Sequence, residues 1–362
     1  MIRVLHVIGK MDRAGAETLI MNLYRNIDRR KVQFDFLVHS NEKGDYDDEI
    51  EKLGGKIYHI ERYNIKNYFR YKKLCRVFFD ENHEKWDIVH GHIRSCAAIY
   101  LKEAKKNGLY TIAHSHSAGD KLLYRMLTYN IRNVADYFFG CTKKSIINAF
   151  GKKVYYGDKK KLIINGIDLN KYKYDKKVAT RKRKELGLEN KYIIGHVGRL
   201  SIEKNHRFMF ECFKFFLEKN KNSVLLLIGR GPLEDELKKY AKALGIEKNV
   251  VFLGIRSDVN ELLMAMDVFV FPSIYEGLPV SLVEAQCSGL NCLISNNIED
   301  FAVITNKVEK LPISSESEKL WADKMLVSDT SRLIKFNEFK EKGFDIKSTA
   351  KWIENFYIEQ SK

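Results

Sequence analysis

The chain predicts an α/β architecture of two doubly wound parallel-sheet domains in succession, and three observations carry that expectation. Short runs rich in β-branched and aromatic residues alternate with longer helical patterns, and the alternation occurs twice. The runs are continuously apolar rather than alternating, as strands buried on both faces require. At 362 residues the chain is long enough for two cores. In the first half the strand candidates are Arg3–Ile8, Phe34–Val38, Lys56–Ile60, Asp87–His92, Tyr110–His114, Tyr137–Thr142 and Leu162–Ile164. In the second they are Tyr192–Val197, Val224–Ile228, Val250–Leu253, Val268–Phe271 and Cys292–Ile294. A charged, weakly patterned stretch from Asp168 to Asn190 reads as the link between them, and Ser348 to Gln360 reads as a capped amphipathic helix with Trp352, Ile353, Phe356 and Tyr357 on one side.

Bulk properties narrow the function classes. Ile2 to Ile8 contains His6 and reads as a first strand rather than a secretory signal, and no run approaches the ~18 apolar residues that span a bilayer. Six scattered cysteines, Cys287 and Cys292 included, lack metal-ligand spacing and read as small core residues in a reducing, cytoplasmic setting. Residues 1–165 carry a net charge of +12 and the remainder +4, so the first half is expected to meet something anionic. No nucleic-acid-binding module is present, and nucleic acid is not expected as a partner.

In open α/β sheets ligands bind beyond the C-terminal ends of strands, and several suggestive residues lie there. Phe271 closes a strand candidate and leads through a Gly/Pro turn into a helix, with Glu276 in the turn and Glu284 on the helix. Pro279 suits the first helical position. The N–H groups of Val280 and Ser281 would then point out of the helix end as a phosphate cradle. Phosphate binding flanked by two carboxylates suits a ligand carrying phosphate and hydroxyls, such as a sugar nucleotide. Gly15 precedes a helical pattern after the first strand, where backbone can approach a phosphate or sugar. Gly198-Arg199 with Lys204 offers two cations at a strand end, although a solvated turn would look the same. Gly229-Arg230-Gly231-Pro232 keeps a loop thin but lacks the dinucleotide fingerprint.

His90 and His92, then His114 and His116, cluster at strand ends. With no carboxylate or cysteine at helpful spacing, hydrogen bonding to sugar hydroxyls is favoured over a metal or plain packing. The acidic run Asp45 to Glu49 reads as a helix first turn rather than a cation site. Arg62–Phe79 and Asp120–Phe139 interleave aromatic and aliphatic residues with bases. Such basic amphipathic segments suit an anionic membrane surface, or else their aromatics are core and their bases merely solvated.

These residues, in this order, resemble the retaining glycosyltransferases of family 4. Glu276 and Glu284 are similar to that family's E-x7-E motif in its Pro-Ser-x-x-Glu-Gly setting. Val197-Gly198-Arg199 with Lys204 resembles its phosphate-binding Arg and Lys, Asn165-Gly166-Ile167-Asp168 its N-G-I-D segment, and Ala14-Gly15-Ala16-Glu17 its glycine loop, with Ala14 where glycine is frequent. The resemblance covers nearly the whole chain and is closest to bacterial capsule and exopolysaccharide transferases. It implies a GT-B fold: two Rossmann-like doubly wound domains facing each other across a cleft, with a C-terminal helix crossing back. The implied domains are an acceptor-binding domain over 1–168, a nucleotide-sugar domain over 169–340 and the returning helix over 341–362.

By the same resemblance the donor is a nucleoside diphosphate sugar, most readily a UDP-sugar, and the reaction retains anomeric configuration. No metal or other cofactor is expected. Arg199 and Lys204 would stabilise the departing diphosphate, Glu276 would hold donor-sugar hydroxyls, and Glu284 the ribose. Gly277, Leu278 and Val280 would offer backbone N–H groups, and loop residues Gly229, Gly254 and Arg256 would flank the nucleotide. His116 would contact the donor sugar, with His114 able to exchange roles with it and His92 beside them on the sugar or acceptor side. Neither Glu276 nor Glu284 is expected to act as the nucleophile of a retaining glycosidase; a same-face reaction, with the leaving phosphate helping to take the acceptor proton, is the family's favoured mechanism. The implied acceptor is a lipid-linked or growing polysaccharide at the inner membrane face, approached through the basic first domain. Two alternatives are a non-catalytic nucleotide-sugar-binding partner of another transferase and a GT-B phosphorylase or epimerase.

Overall fold

A computed structural model of the chain describes residues 1–116, 129–326 and 331–361. Of the segment expected over Asp120–Phe139, residues 120–128 lie outside them. The chain divides into two units: residues 1–166 with 345–362, and residues 167–344.

The first unit holds a seven-stranded sheet: β1 Ile2–Ile8, β2 Val32–Val38, β3 Ile57–His59, β4 Ile88–Gly91, β5 Tyr110–Ser115, β6 Tyr137–Gly140 and β7 Lys160–Leu162. Their order is β3-β2-β1-β4-β5-β6-β7, all parallel, so the winding reverses between β1 and β4. One face packs Val4, Phe34, Phe36, Ile88 and Ile112 against the helices Gly15–Asn26 and Ile346–Gln360. The opposite face packs Leu5, Val7, Val89 and Ala113 against Tyr71, Phe79, Tyr100 and Ile146.

The last helix is seated by its apolar stripe, Ile346, Ala350, Ile353, Phe356 and Tyr357. Its N-terminus is capped by the Asp345 carboxylate, which accepts from the N–H groups of Lys347 and Ser348. The buried Glu354 carboxylate accepts from the Asp28 N–H at 2.8 Å and so ties the helix to the loop before β2.

In the second unit the strands are β8 Tyr192–Val197, β9 Ser223–Ile228, β10 Val250–Gly254, β11 Val268–Phe271, β12 Asn291–Ser295 and β13 Val308–Leu311. The order β10-β9-β8-β11-β12-β13 is again fully parallel, with the reversal between β8 and β11. Met209, Phe210, Cys212, Phe213 and Phe216 of the helix His206–Lys219 fill its core together with Trp321.

A recurring device sets strand alignment. Asp87, Asp136 and Asp267 each precede a strand, and each carboxylate accepts the N–H of a residue in the neighbouring strand: Arg3, Thr111 and Ile193, at 2.8, 3.0 and 2.7 Å. The same carboxylates hold cations from the covering helices, Lys105 on Asp136 and Arg183 on Asp267.

Four expectations are corrected. Asp168–Asn190 is not a link: the boundary falls at Gly166/Ile167, and the segment forms the helices Leu169–Tyr172 and Lys176–Glu185 of the second unit. The second of these helices is attached by charge rather than by an apolar stripe. Lys182, buried, reaches Asp258 at 2.8 Å and Glu261 at 3.1 Å, a pattern that hydrophobic periodicity does not register. The second unit also runs to Phe344 rather than residue 340. Finally, β13 was unforeseen because Val308-Glu309-Lys310-Leu311 is a short edge strand with half its side chains polar. At the other sheet's edge, β7 lies two residues earlier than expected, on Lys160 and Lys161, whose ammonium sits 4.8 Å over the Trp352 ring.

Replacing Ile353 by Ala removes a fully buried side chain from the seat of the returning helix and is expected to cost about 2–5 kcal/mol. A lowered urea midpoint for the unfolding of the first unit checks it.

Candidate active site

In the second unit the residues of interest lie on the strands that flank the winding reversal. β8 ends at Val197 and passes through Gly198 and Arg199 to a single 3-10 turn, Ile202–Lys204. Asn205 then takes a left-handed conformation (φ 56°), which re-aims the chain into the helix His206–Lys219. β11 ends at Phe271 and leads through Pro272 to Gly277 into the helix Val280–Cys287. The two loops are joined: the Ile274 N–H donates to the Glu203 carbonyl at 2.8 Å, and the Asn297 side chain donates to the Ile274 carbonyl at 2.9 Å.

At this junction the Lys204 ammonium donates to Glu276 Oε1 at 2.6 Å, with both side chains 14% exposed. The same ammonium stands 4.7 Å over the Phe271 ring. The sequence assigns Lys204 and Glu276 to different parts of a ligand; in the structure they hold each other. Arg199 is exposed, and among the described residues its side chain makes no hydrogen bond or ion pair. It is thus a free fork of donors beside a paired cation.

The glycines make the neighbouring loops thin. Gly229 has φ 132°, and a Cβ there would lie 2.0 Å from the Gly198 carbonyl oxygen, so any side chain would push the loop after β9 off the loop after β8. The Gly229 N–H donates to the Gly254 carbonyl at 2.9 Å, which brings the end of β10 into the same cluster. Arg256, expected near the nucleotide, is held by Asp258 through two hydrogen bonds of 2.8 and 2.6 Å. The phosphate-cradle expectation is also modified. Pro279 is the cap rather than the first helical residue, and the Val280 N–H is spent on the Leu278 carbonyl at 3.0 Å. The N–H groups of Gly277, Leu278 and Ser281 make no backbone hydrogen bond among the described residues, and nothing lies within 4 Å of the Gly277 Cβ position.

Glu284 is held by a residue that the sequence reading placed in a linker. The Tyr172 hydroxyl donates to Glu284 Oε1 at 2.6 Å. Burial of the carboxyl pushes its pKa up to about 7, partly opposed by that hydrogen bond and by Lys171. Tyr172 follows the N-G-I-D segment by four residues, and that offset was the only signal available for it.

In the first unit the predicted histidines gather as expected, with an addition. His6, His90, His92, His114 and His116 share the sheet face covered by the helices Gly15–Asn26 and Ile346–Gln360, since residues two apart point to the same side. His6 Nδ1 meets His92 Nε2 at 2.9 Å, and His92 Nδ1 meets His116 Nε2 at 2.8 Å. His116 Nδ1 lies 3.7 Å from Cys141 Sγ, which in turn lies 3.6 Å from Asn165 Oδ1. The Asn165 side-chain amide donates to the Gly15 carbonyl at 3.3 Å, so the N-G-I-D segment holds the N-terminal glycine loop. His90 meets the Tyr357 hydroxyl of the last helix at 2.6 Å. Burial lowers the pKa of all five rings, His6 and His116 to about 3, with Arg94 a further cause at His116.

His114 is wholly enclosed and His116 is the partly accessible member of the pair, so His116 is the better placed to meet a ligand. His6, Cys141 and Tyr357 were not anticipated; for His6, a polar residue inside an otherwise apolar strand was the available signal. Beside this cluster a cavity of about 620 Å³ opens at the ends of β1, β2 and β4, lined by Lys10, Asp12, Glu17, His39, Ser40 and Arg62 among others.

Comparison with known proteins agrees with this arrangement. Residues 13–171 match the family model described as Glycosyltransferase Family 4, and residues 178–335 that described as Glycosyl transferases group 1. The chain is 33% identical over 332 residues to the EpsF protein of Bacillus subtilis (strain 168), which carries a glycosyltransferase name, covering 89% of this chain and 86% of that one. It is 27% identical, over the full length of both, to the capsular polysaccharide biosynthesis glycosyltransferase CapH of Staphylococcus aureus. The crystal structure of HepE from Anabaena in complex with UDP superposes with a TM-score of 0.72 at 18% identity, over 99% of this chain and 97% of that one.

The raised Glu284 pKa has a defined effect on stability. The folded state favours the protonated carboxyl, so this group's stabilising contribution is full below pH ~4.5 and declines as pH rises through 7. Glu284→Gln is therefore expected to match the parent protein in melting temperature near pH 5 and to exceed it at pH 8, as thermal melts across that range would read. With its motifs in place on both units and an EpsF relative matched over most of its length, the chain belongs to the family 4 glycosyltransferases and has the GT-B fold.

Proposed function

We propose that this glycosyltransferase moves a hexose or N-acetylhexosamine, with retention of configuration, from a UDP-sugar to a lipid-linked or growing polysaccharide acceptor in capsule or exopolysaccharide synthesis. The carrying observation is the set of Arg199, Lys204 and Glu276 on the two loops that flank the β8/β11 reversal, with Lys204 and Glu276 already in contact. Arg199 supplies a forked donor and Lys204 a point charge for the diphosphate as it departs with growing negative charge. These two cations do at the diphosphate what a hard metal ion would otherwise do, so the transfer step needs none. Glu276 takes donor-sugar hydroxyls once Lys204 turns to phosphate. Glu284, with one oxygen held by Tyr172, presents the other to the ribose. The free N–H groups of Gly277, Leu278 and Ser281 line the phosphate side. His116 contacts the sugar. UDP in HepE and the capsular role of CapH support the donor and pathway class.

The acceptor reading draws on the first unit. The helix Tyr68–Asn82 buries Tyr71, Cys75 and Phe79 while exposing Phe69 (85%) and Tyr68 among Lys66, Arg70, Lys72, Lys73 and Arg76, with Ile65 exposed just before it. The buried aromatics fit the core reading of this segment, and the exposed set suits the surface of an anionic membrane. No helix among the described residues is long and apolar enough to cross a membrane.

Transfer from labelled UDP-sugars to a membrane lipid extract tests the reading. Glu276→Gln and Arg199→Ala are each expected to lower kcat/KM by about 10²–10³, and unchanged activity in Glu276→Gln would favour the non-catalytic partner instead. Sedimentation with phosphatidylglycerol vesicles is expected to retain the protein at low salt and release it at high salt. Phe69→Ser together with Ile65→Ser should weaken retention about tenfold or more, given about 0.8 kcal/mol per buried CH₂.

A further inference from the structure

We propose that His6 and His92 are positioning residues: with Cys141 they form a one-way chain of hydrogen bonds that holds His116 in the tautomer protonated at Nδ1, as a donor to an oxygen of the donor sugar. The proposal rests on the reading that His116 meets that sugar.

The direction of the chain follows from its last member, a backbone carbonyl, which can only accept. The Asn165 side-chain nitrogen donates to the Gly15 carbonyl at 3.3 Å, so Asn165 Oδ1 is the atom turned to Cys141 Sγ, 3.6 Å away. An amide oxygen also only accepts, and this contact spends the one thiol proton. Burial pushes the Cys141 pKa up to about 12 and keeps that proton in place. What the sulfur then offers His116 Nδ1, 3.7 Å away, is a lone pair, and the proton between them belongs to the ring. Burial lowers the His6 and His116 pKa to about 3 and that of His92 well below its usual value. The rings are therefore neutral, with one N–H each. His116 Nε2 accepts, and His92 Nδ1, 2.8 Å away, supplies the N–H. His92 Nε2 accepts in turn from His6 Nδ1 at 2.9 Å. The chain stops at His6 Nε2, buried and without a partner, which in this direction is a bare lone pair.

The reverse direction fits worse. It puts an N–H on His6 Nε2 with no acceptor, and orphaned buried N–H groups are rare. It also asks the single Cys141 proton to serve both His116 and Asn165. One direction satisfies all five contacts and the other only four. With Nε2 committed to His92, the partly accessible His116 ring has Nδ1–H left for a ligand. A thiol is a weak acceptor, so a sugar oxygen displaces it readily, whereas a protonated amine finds no lone pair there. In an isolated imidazole either nitrogen can carry the proton; the partner of one nitrogen decides the state of the other.

The test combines nitrogen NMR of the full chain, labelled at histidine, with transfer kinetics. Long-range proton–nitrogen spectra of the parent are expected to show His92 and His116 protonated at Nδ1 and bare at Nε2. In folded His6→Leu that pattern should give way to mixed tautomers at both rings, and kcat/KM for sugar transfer should fall about 10–100-fold. His6→Asn, whose amide N–H stands where Nδ1–H stood, should restore most of the activity. In a His116→Ala background His6→Leu should have no further effect, because a positioning residue acts through the ring it positions. A role in packing alone would lower activity equally in both backgrounds. That result, or His116 protonated at Nε2 in the parent, would overturn the proposal. Full activity in His116→Ala would sink the sugar contact and the positioning role with it, while the parent spectrum still decides the direction of the chain. If His6→Leu does not fold, that spectrum decides alone.

Discussion

Every strand pairing among the described residues is parallel, and that constraint organises the rest. Parallel strands must be joined by crossovers, so within each unit all strand-to-helix loops emerge at one end of the sheet. Both sheet faces are then covered by helices and the strands carry almost only apolar side chains. Polar residues with chemical potential are displaced to that one end. Where the winding reverses, between β1 and β4 or between β8 and β11, adjacent loops diverge and leave room for a ligand. Gly15 and His92 follow the strands of the first reversal, and Arg199 and Glu276 those of the second.

In the second-unit site the charged side chains satisfy one another. Lys204 and Glu276 neutralise one another, and Tyr172 occupies one oxygen of Glu284. Desolvating an unpaired charge is costly, and the partly buried lysine and glutamate each offset that cost for the other. Under the proposed function, a diphosphate sugar would offer both partners an exchange, phosphate oxygens for the lysine and hydroxyls for the glutamate. Arg199, left unpaired, is the charge with which an approaching anion would first engage.

How much of this was legible depended on the kind of interaction involved. Continuous apolar runs marked every central strand, because burial on both faces is written directly into composition. The edge strands β7 and β13 were shifted or missed, since edges carry lysine and glutamate for solvent and against aggregation. The helix Lys176–Glu185 read as a linker because its attachment is ionic, through Lys182 to Asp258 and Glu261. Arg199, Lys204, Glu276 and Glu284 stood out by their place at strand ends and by their resemblance to the family's motifs. Their partners did not: Tyr172 lies 112 residues from Glu284, and Lys204 lies 72 from Glu276. For Arg256, the sequence reading did not name the Asp258 carboxylate that holds its guanidinium. The histidines showed their period of two, but His6 joins them only through the strand register His6 to His90.

The aspartates that precede β4, β6 and β11 have a bearing on accuracy of assembly. In a sheet whose strands are apolar on both faces, hydrophobicity discriminates poorly between one alignment and the next, because a strand slipped by one residue still buries apolar side chains. The carboxylates of Asp87, Asp136 and Asp267 break that degeneracy, for each matches one particular N–H in its neighbour. A slip at β4 would send His90 and His92 to the far face, among Tyr71 and Phe79, and put Val89 and Gly91 where the imidazoles now meet. Three carboxylates at the chemically idle end of the sheets thus act as proofreaders for side chains at the working end.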